Sequence, residues 1–290
     1  MEGRISGHTR LFALIGSPVD HSGSPAMYNY SFARRELDNA YLAFEVPLEK
    51  TAEAVEALKL LHVGGFNVTM PCKTAVAGLV DELSPAAKLI GACNTVTISD
   101  GGTLTGHNTD GIGFVENLRM HGVSVKGKRI VVLGAGGAAT AVTMQCALEG
   151  AAAIHIFNRK GFTFYPNAEL SVKKLHENVP GCQAAVTDLF DKEALAEAVR
   201  NCDILVNATK VGMAPLDNET LIPPSLFRPE LVVADTVYNP RETRMIQEAK
   251  AAGCTTIGGI GMLLYQGAAA FRLFTGADMP ADEVLDKFFS

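Results

Sequence analysis

One segment constrains the fold more than any other: a glycine-rich turn that joins an apolar run to an alanine-rich run. The turn has the form G-x-G-x-x-A, with Gly134, Gly136 and Ala139 at the defining positions. The first glycine permits the tight bend, the second lets a pyrophosphate approach the backbone, and the small third residue lets a helix pack closely on the strand. Free N–H groups at the helix start then bind phosphate. The segment therefore predicts a dinucleotide-binding unit.

The next predicted strand, Ile154–Phe157, ends in a polar and basic triplet, Asn158-Arg159-Lys160. A site selective for NAD usually carries Asp or Glu at this point, where the carboxylate binds the ribose 2′-hydroxyl. Here a neutral asparagine is followed by an arginine, which can bind a 2′-phosphate through its planar guanidinium, and by a lysine that adds charge. The triplet therefore favours NADP over NAD. The alternative is a solvated loop whose cations bind nothing.

Short β-rich runs alternate with segments of helical periodicity along almost the whole chain, which is typical of parallel α/β sheets with crossover helices. A length of 290 residues corresponds to two domains or one large one. The strands predicted in the first half are Leu11–Ile15, Tyr41–Val46, Gly65–Val68, Thr95–Ile98 and Leu104–His107, the last two joined by a hairpin-like turn. Those predicted in the second half are Arg129–Leu133, Ile154–Phe157, Ile204–Ala208 and Leu231–Ala234.

Helices are predicted between these strands. The first has Pro25 in its first turn, where a missing N–H costs nothing, and runs toward Arg35. The others are Thr51–Leu61, a helix from Asp110 to near Gly122, Ala139–Glu149, Glu193–Arg200, Arg241–Ala252 and Gly261–Thr275. The last does not continue the strand series, so we expect it to return to the first half. The predicted domains are residues 1–112, completed by 260–290, and residues 113–259.

Composition and charge exclude several classes of protein. The 25 Lys+Arg against 31 Asp+Glu give a net charge of −6, which makes a poor general binder of nucleic acid. No apolar run approaches the roughly 20 residues needed to span a bilayer, and the first residues lack the apolar stretch of a secretory signal. The six cysteines are scattered without metal-ligand spacing, as is typical of buried thiols in a reducing compartment. We expect a cytoplasmic protein without a metal site, a nucleic-acid partner or a membrane partner.

Two polar clusters follow predicted strands, and ligands of open α/β sheets collect outside the carboxyl ends of strands. One is the segment NVTMPCK at 67–73, which contains Lys73, and the other is NTDG at 108–111, which contains Asp110. A lysine and an aspartate suit reversible alcohol oxidation, since the lysine can exchange a proton with the hydroxyl while the aspartate orients it. Taken singly, the lysine could be a surface cation and the aspartate a helix cap.

A longer series of motifs extends this interpretation. In order, the chain contains GSPVDHSGSP at 16–25, NVTMPCK at 67–73, GACNT at 91–95, NTDG at 108–111, GAGGAA at 134–139, NR at 158–159, NAT at 207–209, VYNP at 237–240 and GMLLYQG at 261–267. The series resembles the shikimate dehydrogenase family over nearly the whole chain. Lys210, where the biosynthetic enzymes usually have serine, and residues 83–89 resemble its quinate/shikimate dehydrogenase branch. The resemblance implies an N-terminal substrate domain and a C-terminal Rossmann-type NAD(P)-binding domain, with the active site in the cleft between them.

The resemblance also implies an activity and a set of site residues. The activity is NAD(P)-dependent, reversible oxidation of shikimate to 3-dehydroshikimate, with quinate as a possible second substrate, in aromatic amino acid biosynthesis or quinate utilisation. Catalytic roles are implied for Lys73 and Asp110. Substrate contacts are implied for Ser22, Ser24, Thr69, Lys73, Asn94, Asp110, Tyr238 and Gln266. Cofactor contacts are implied for Gly134, Ala135, Gly136, Gly137, Ala138, Asn158, Arg159, Lys160, Lys210, Thr236 and Gly259.

The sequence leaves the cofactor and the precise substrate open. Gly161 stands where the quinate/shikimate branch commonly has an aspartate that serves the NAD ribose, and neither Thr163 nor Phe164 can replace the second arginine of the NADP-dependent branch. Both cofactors therefore remain compatible, with NADP favoured. A dehydrogenase of a related cyclic acid, or an NAD(P)-binding regulator without catalysis, would share the cofactor half. The expected partner is a small-molecule substrate, and both a monomer and a homodimer fit the sequence.

Overall fold

The computed structural model describes residues 5–289, and the chain divides into two compact units. The first contains the described residues up to Thr109 and those from Leu264 onward, and the second is Asp110–Leu263. Each unit contains a six-stranded sheet. The predicted α/β class is therefore confirmed.

The first unit forms around a mixed sheet with the strand order β2-β1-β3-β5-β6-β4. Strands β1, β2 and β3 are parallel, and β5 runs antiparallel to both β3 and β6. Its elements are β1 (Arg10–Gly16), α1 (Ser24–Arg34), β2 (Asn39–Glu45), α2 (Thr51–Leu60), β3 (Gly65–Val68), α3 (Lys73–Ala77), β4 (Glu82–Leu83), α4 (Pro85–Ile90), β5 (Thr95–Ile98) and β6 (Leu104–His107).

The second unit contains a parallel sheet with the strand order β12-β11-β10-β7-β8-β9. The order reverses between β7 and β10, where a crevice for ligands forms in doubly wound sheets. Its elements are α5 (Asp110–Met120), β7 (Arg129–Leu133), α6 (Gly137–Leu148), β8 (Ala153–Asn158), α7 (Tyr165–Asn178), β9 (Gln183–Asp188), α8 (Lys192–Asn201), β10 (Ile204–Asn207), β11 (Val232–Asp235), α9 (Arg244–Ala251) and β12 (Thr255–Ile257).

Two further helices end the chain, α10 (Ile260–Thr275) and α11 (Ala281–Phe288). Leu264, Phe271 and Phe274 of α10 are buried in the same core cluster as Phe12 of β1 and Phe32 of α1. The rings of Phe32 and Phe271 lie 5.4 Å apart, at a separation typical of favourable aromatic pairs. This apolar packing explains why the end of the chain belongs to the first unit.

The six cysteines are buried as free thiols. Over residues 5–289, no helix has both the length and the apolar character needed to cross a membrane. Within the same residues, no cluster of three His, Cys, Asp or Glu side chains is placed to hold a metal ion.

Candidate active site

Several predicted substrate residues lie at one edge of the first sheet. The carboxyl ends of β1 and β3 meet there, and the antiparallel β5 begins at the same edge. Thr69 N donates to Ile15 O at 2.9 Å. In the adjacent strands, Val68 N donates to Asn94 O at 2.8 Å and Asn94 N to His107 O at 3.0 Å. Strand register therefore places Thr69, Asn94 and the segment after His107 side by side.

Gly16, the last residue of β1, allows this edge to be compact. Its φ is +152°, a backbone conformation that side chains with a Cβ rarely adopt. A Cβ there would lie 2.3 Å from Thr69 Cγ2 and 2.8 Å from Met70 O. The neighbouring Ser17 N donates to that same Met70 oxygen at 2.9 Å. Any larger residue at position 16 would push the end of β1 away from the segment that carries Thr69.

Asn94 is buried, with 3% exposure, and its side chain holds the segment that leads to Asp110. Asn94 Oδ1 accepts from Thr109 N at 2.8 Å, and Asn94 Nδ2 donates to Thr109 Oγ1 at 3.0 Å. Thr95 Oγ1 also donates to Asn94 Oδ1, at 3.1 Å. Asp110 starts α5 directly after Thr109, so Asn94 holds the residue that immediately precedes that helix.

Asn67 and Tyr41, which were not predicted as site residues, form hydrogen bonds that hold this edge of the sheet together. Tyr41 Oη donates to Asn67 Oδ1 at 2.7 Å, and Asn67 Nδ2 donates to Thr95 Oγ1 at 2.9 Å and to Asn94 O at 3.2 Å. Burial raises the pKa of Tyr41 well above its usual value, so the phenol stays a donor. An asparagine inside a fully buried four-residue strand was the available sequence signal, because buried amides need partners.

Lys73 is the first residue of α3 and is partly buried. Cys93 N donates to Lys73 O at 3.1 Å. Burial raises the pKa of the Cys93 thiol to about 12, and the charge of Lys73 acts in the opposite direction. The backbone hydrogen bond places Lys73 beside Cys93, the neighbour of Asn94 in sequence.

Ser22 and Ser24 lie at the start of α1, and both are partly buried. Ser24 N donates to Ser22 Oγ at 3.3 Å, which is the local turn that a serine pair of this spacing favours. Pro25 occupies the first turn of α1, as predicted. The turn presents two hydroxyl groups within three residues.

Gln266 lies on α10, next to the contact between α10 and α1. Tyr28 Oη donates to Gly267 O at 3.1 Å. A Cβ on Gly267 would lie 2.5 Å from Met27 Cε, so glycine permits the close approach of the two helices. Gln266 and the serine pair of α1 therefore belong to the same unit.

The phosphate-binding turn has the predicted form, strand β7 followed by a glycine turn and helix α6. Gly134 has a φ of +109°, and a Cβ there would lie 2.7 Å from Ala208 O. By contrast, a Cβ on Gly136 or Gly137 would meet no atom within 4 Å. Gly136 caps α6 without a side-chain hydrogen bond, so the helix start keeps N–H groups available for phosphate.

Asn158 is the last residue of β8, and Arg159 and Lys160 follow it at the same edge of the second sheet. Asn158 Nδ2 is buried without a hydrogen-bond partner among the described residues, and an orphaned donor of this kind requires an explanation. The guanidinium of Arg159 lies 4.2 Å from the centre of the Phe162 ring. Lys160 N donates to Asp188 Oδ1 at 3.1 Å.

The remaining predicted cofactor residues are Lys210, Thr236 and Gly259, which follow β10, β11 and β12 in turn. Lys210 is exposed and Thr236 is partly buried, and Tyr238, a predicted substrate residue, is also exposed. Thr236 N donates to Asn207 O at 2.9 Å. A Cβ on Gly259 would lie 2.6 Å from Thr236 O, so Gly259 is in tight contact with the segment after β11. In the second unit, the predicted cofactor residues thus share one sheet edge.

Family models match both ends of the chain. Residues 14–96 match the shikimate dehydrogenase substrate binding domain, and residues 259–287 match the shikimate 5'-dehydrogenase C-terminal domain. A relative from Streptococcus uberis, named shikimate dehydrogenase (NADP(+)), is 48% identical over 100% of this chain and 99% of its own length. The chain belongs to the shikimate dehydrogenase family. The predicted resemblance to this family is therefore confirmed.

Solved structures of the shikimate dehydrogenase family and its neighbours agree with this assignment. Shikimate 5-dehydrogenase from Listeria monocytogenes, solved with shikimate and NAD, is 46% identical with a TM-score of 0.95, covering 98% of this chain and 97% of that one. Quinate dehydrogenase from Corynebacterium glutamicum, solved with NAD, is 30% identical with a TM-score of 0.85, covering 97% and 99%.

Proposed function

We propose that this chain catalyses the reversible, NADP-dependent oxidation of shikimate to 3-dehydroshikimate in the shikimate pathway. The single observation that carries the proposal is the register of β3, β5 and β6, which aligns Thr69, Asn94 and the segment that directly follows His107. A polyhydroxylated acid needs many short hydrogen-bonding groups, and this edge supplies them. The named relatives support the same reaction.

The residues of the second unit fit a dinucleotide cofactor. The open side of Gly136 and Gly137 leaves room for a pyrophosphate, and the orphaned Asn158 Nδ2 is a donor suited to a ribose or phosphate oxygen. Arg159 and Lys160 are exposed cations that suit a 2′-phosphate, so we assign NADP as the preferred cofactor. Held by these residues, NADP+ would supply the hydride acceptor that oxidation of the substrate's carbinol carbon requires.

Within this proposal, the two catalytic side chains divide the remaining work. Lys73 accepts the hydroxyl proton as the carbonyl forms and returns it in the reverse direction. Asp110 orients the lysine and the hydroxyl. Ser22 and Ser24 bind the substrate carboxylate with Tyr238, while Thr69, Asn94 and Gln266 bind ring hydroxyls. We assign substrate binding to residues 1–112 with 260–290 and cofactor binding to residues 113–259. We also propose a cytoplasmic location, where NADP is present.

The proposal is tested by steady-state kinetics with shikimate and quinate, each with NADP+ and NAD+. We expect the highest kcat/KM for shikimate with NADP+. In Lys73→Ala, kcat should fall by about a hundredfold or more, the range that general acid–base catalysis contributes, while shikimate binding persists. Lys88→Ala removes an exposed lysine of α4 and should behave as wild type. Normal turnover by Lys73→Ala would refute the assignment.

Quinate is a second candidate substrate. Lys210 replaces the serine usual in biosynthetic enzymes, and quinate dehydrogenase is among the similar structures. A kcat/KM for quinate equal to or above that for shikimate would make quinate oxidation the main activity.

A further inference from the structure

Asp235, the last residue of β11, is a carboxylate buried to 2% exposure that received no role from the sequence. Thr243 Oγ1 donates to its Oδ2 at 2.7 Å, and Asn207 Nδ2 and Val237 N donate to its Oδ1, both at 2.9 Å. These donors are uncharged. Burial raises the pKa of Asp235 to about 6, although the hydrogen bonds oppose the rise. The ionised group is therefore costly to keep in place.

Asn207, at the end of β10, has both ends of its amide engaged. Its Oδ1 accepts from Thr209 N at 3.1 Å and from Thr209 Oγ1 at 2.7 Å. Its Nδ2 donates to Val211 O at 2.9 Å as well as to Asp235. These bonds determine the orientation of the Asn207 amide. The amide in turn connects the loop at 208–212 to the carboxylate of Asp235.

Thr243 contacts both Asp235 and the loop at 208–212. Its Oγ1 caps α9 by accepting from Ile246 N at 3.4 Å while donating to Asp235. Gly212 has a φ of +102°, and a Cβ there would lie 2.9 Å from Thr243 Cγ2. The loop at 208–212 thus packs directly on the methyl group of Thr243.

Three of the segments that carry proposed cofactor contacts lie against this cluster of Asp235, Asn207, Thr209 and Thr243. The phosphate turn approaches it where a Cβ on Gly134 would lie 3.1 Å from Thr209 Cγ2. Lys210 lies within the 208–212 loop. Thr236 N donates to Asn207 O, and Gly259 packs against Thr236 O.

We propose that Asp235 is a positioning residue for cofactor binding: its ionised carboxylate ties the loops after β10 and β11 together and holds Lys210 and Thr236 in place against the cofactor. The inference rests on the proposed function only in taking NADP as the ligand. A carboxylate with a purely structural role would be expected to stabilise the folded protein. Burial instead disfavours the ionised form of Asp235 and so lowers stability. Such a loss of stability is found where a residue serves function.

The test is Asp235→Asn in the full chain, since the amide has the same shape but cannot accept from every donor around the carboxylate. We expect the Kd for NADP+, measured by titration calorimetry at neutral pH, to rise at least about tenfold, or 1.4 kcal/mol. The free energy of unfolding should change little, because removal of the buried charge offsets the cost of the donor that the amide leaves without an acceptor. Unchanged NADP+ affinity would overturn the proposal.

Asp203→Asn is the matched control. Asp203 immediately precedes β10, and its Oδ2 accepts from Arg129 N at 2.7 Å, so it lies at the opposite edge of the sheet. We expect wild-type affinity for NADP+ in this variant. An equal loss of affinity would show a general effect of losing a carboxylate and would refute the proposal.

A second pair of variants decides the question if Asp235→Asn does not fold. Thr243→Val keeps the methyl that contacts Gly212 and loses the hydroxyl, whereas Thr243→Ser keeps the hydroxyl. NADP+ should bind weakly to the valine variant and normally to the serine variant, and equal binding by both would contradict the inference. If wild type itself binds neither NADP+ nor NAD+, the proposed function fails first.

Discussion

At the scale of single residues, the polar side chains at strand ends have internal partners as well as proposed ligands. Asn94 holds Thr109 through both ends of its amide, and Asn207 holds Thr209 and Asp235. Such bonds fix rotamers before a ligand arrives, which reduces the ordering cost of binding. The same residue types in exposed loops would lose that advantage.

Asp235 makes the stability of the protein depend on pH in a direction opposite to that of an ordinary salt-bridged aspartate. Its pKa is raised from 3.8 to about 6, so the folded state binds more protons than the unfolded state between these values. The raised pKa therefore adds to the free energy of unfolding. This contribution is fully present below the pKa of Asp235 in the unfolded chain, and it is lost as the pH rises through the pKa of Asp235 in the folded protein. Relative to Asp235→Asn, wild type should lose about 3 kcal/mol of unfolding free energy across this window.

Urea unfolding of both proteins at several pH values between about 4 and 7 measures this difference, since the linear extrapolation yields a free energy at each pH. Because both proteins contain the same other titrating groups, the contributions of those groups cancel in the difference between the two free energies at each pH. Parallel pH profiles for the two proteins would show that Asp235 does not titrate in this range.

At the scale of elements, the contact between α5 and α6 depends on the absence of a side chain at Gly111. A Cβ there would lie 2.5 Å from Ala141 O and 2.6 Å from Gln145 Cβ. Because one of these atoms is backbone, Gly111→Ala must separate the helices. We expect a loss of about 1–3 kcal/mol, typical of overpacking, measured by chemical unfolding.

Gly181→Ala is the comparison for Gly111→Ala, because a Cβ at Gly181 meets no atom within 4 Å. This variant should be as stable as wild type or slightly more stable, since alanine reduces the entropy of the unfolded chain. Equal stability of the two variants would mean that α5 can shift without cost.

Most elements were predictable because their local pattern was strong. The bounds of β3, β5, β6 and β7 are those that the sequence predicted. By contrast, α7 and β9 were not predicted. Helix α7 starts without a side-chain cap among the described residues, and β9 lies at the edge of its sheet with no fully buried residue. Helix α7 therefore lacks a capping side chain and β9 lacks a continuous buried run, which are signals on which such predictions depend.

At the scale of the whole molecule, most of the proposed substrate contacts lie in the first unit and the proposed cofactor contacts lie in the second, so each ligand should mainly stabilise one unit. At a hundred times its Kd, a ligand adds about 2.7 kcal/mol of stability to the state that binds it. We expect NADP+ to slow amide hydrogen exchange at 134–140 and 207–212, and shikimate to slow it at 67–73 and 107–111.

Hydrogen exchange with mass spectrometry, with each ligand added separately, measures this pattern. Residues 192–201, which form α8, serve as an internal reference because no ligand contact is proposed there. Protection by NADP+ at 67–73 without protection at 134–140 would contradict the division of roles.

The candidate site was predictable in part because its motifs are local. The glycine turn at 134–139 and the polar segments at 67–73 and 108–111 each follow a strand, so a prediction of strands placed them at sheet edges. Asn67, Tyr41 and Asp235 were missed as supporting residues, since their partners come from other strands. A hydrogen bond such as Tyr41 to Asn67, 26 residues apart, is determined by register rather than by neighbouring sequence.

The sequence by itself determined the α/β class, the phosphate turn and the family, because these depend on short-range periodicity and on glycines where a backbone must bend. The tertiary structure alone decided which strands pair, and therefore which polar atoms are already engaged. The return of the last helix to the first half was predicted from the sequence, but only the structure identified Phe271 and Phe274 as residues that pack it with β1 and α1. The physical reason is that burial and hydrogen bonding are satisfied across elements distant in sequence, where no local pattern records the partner.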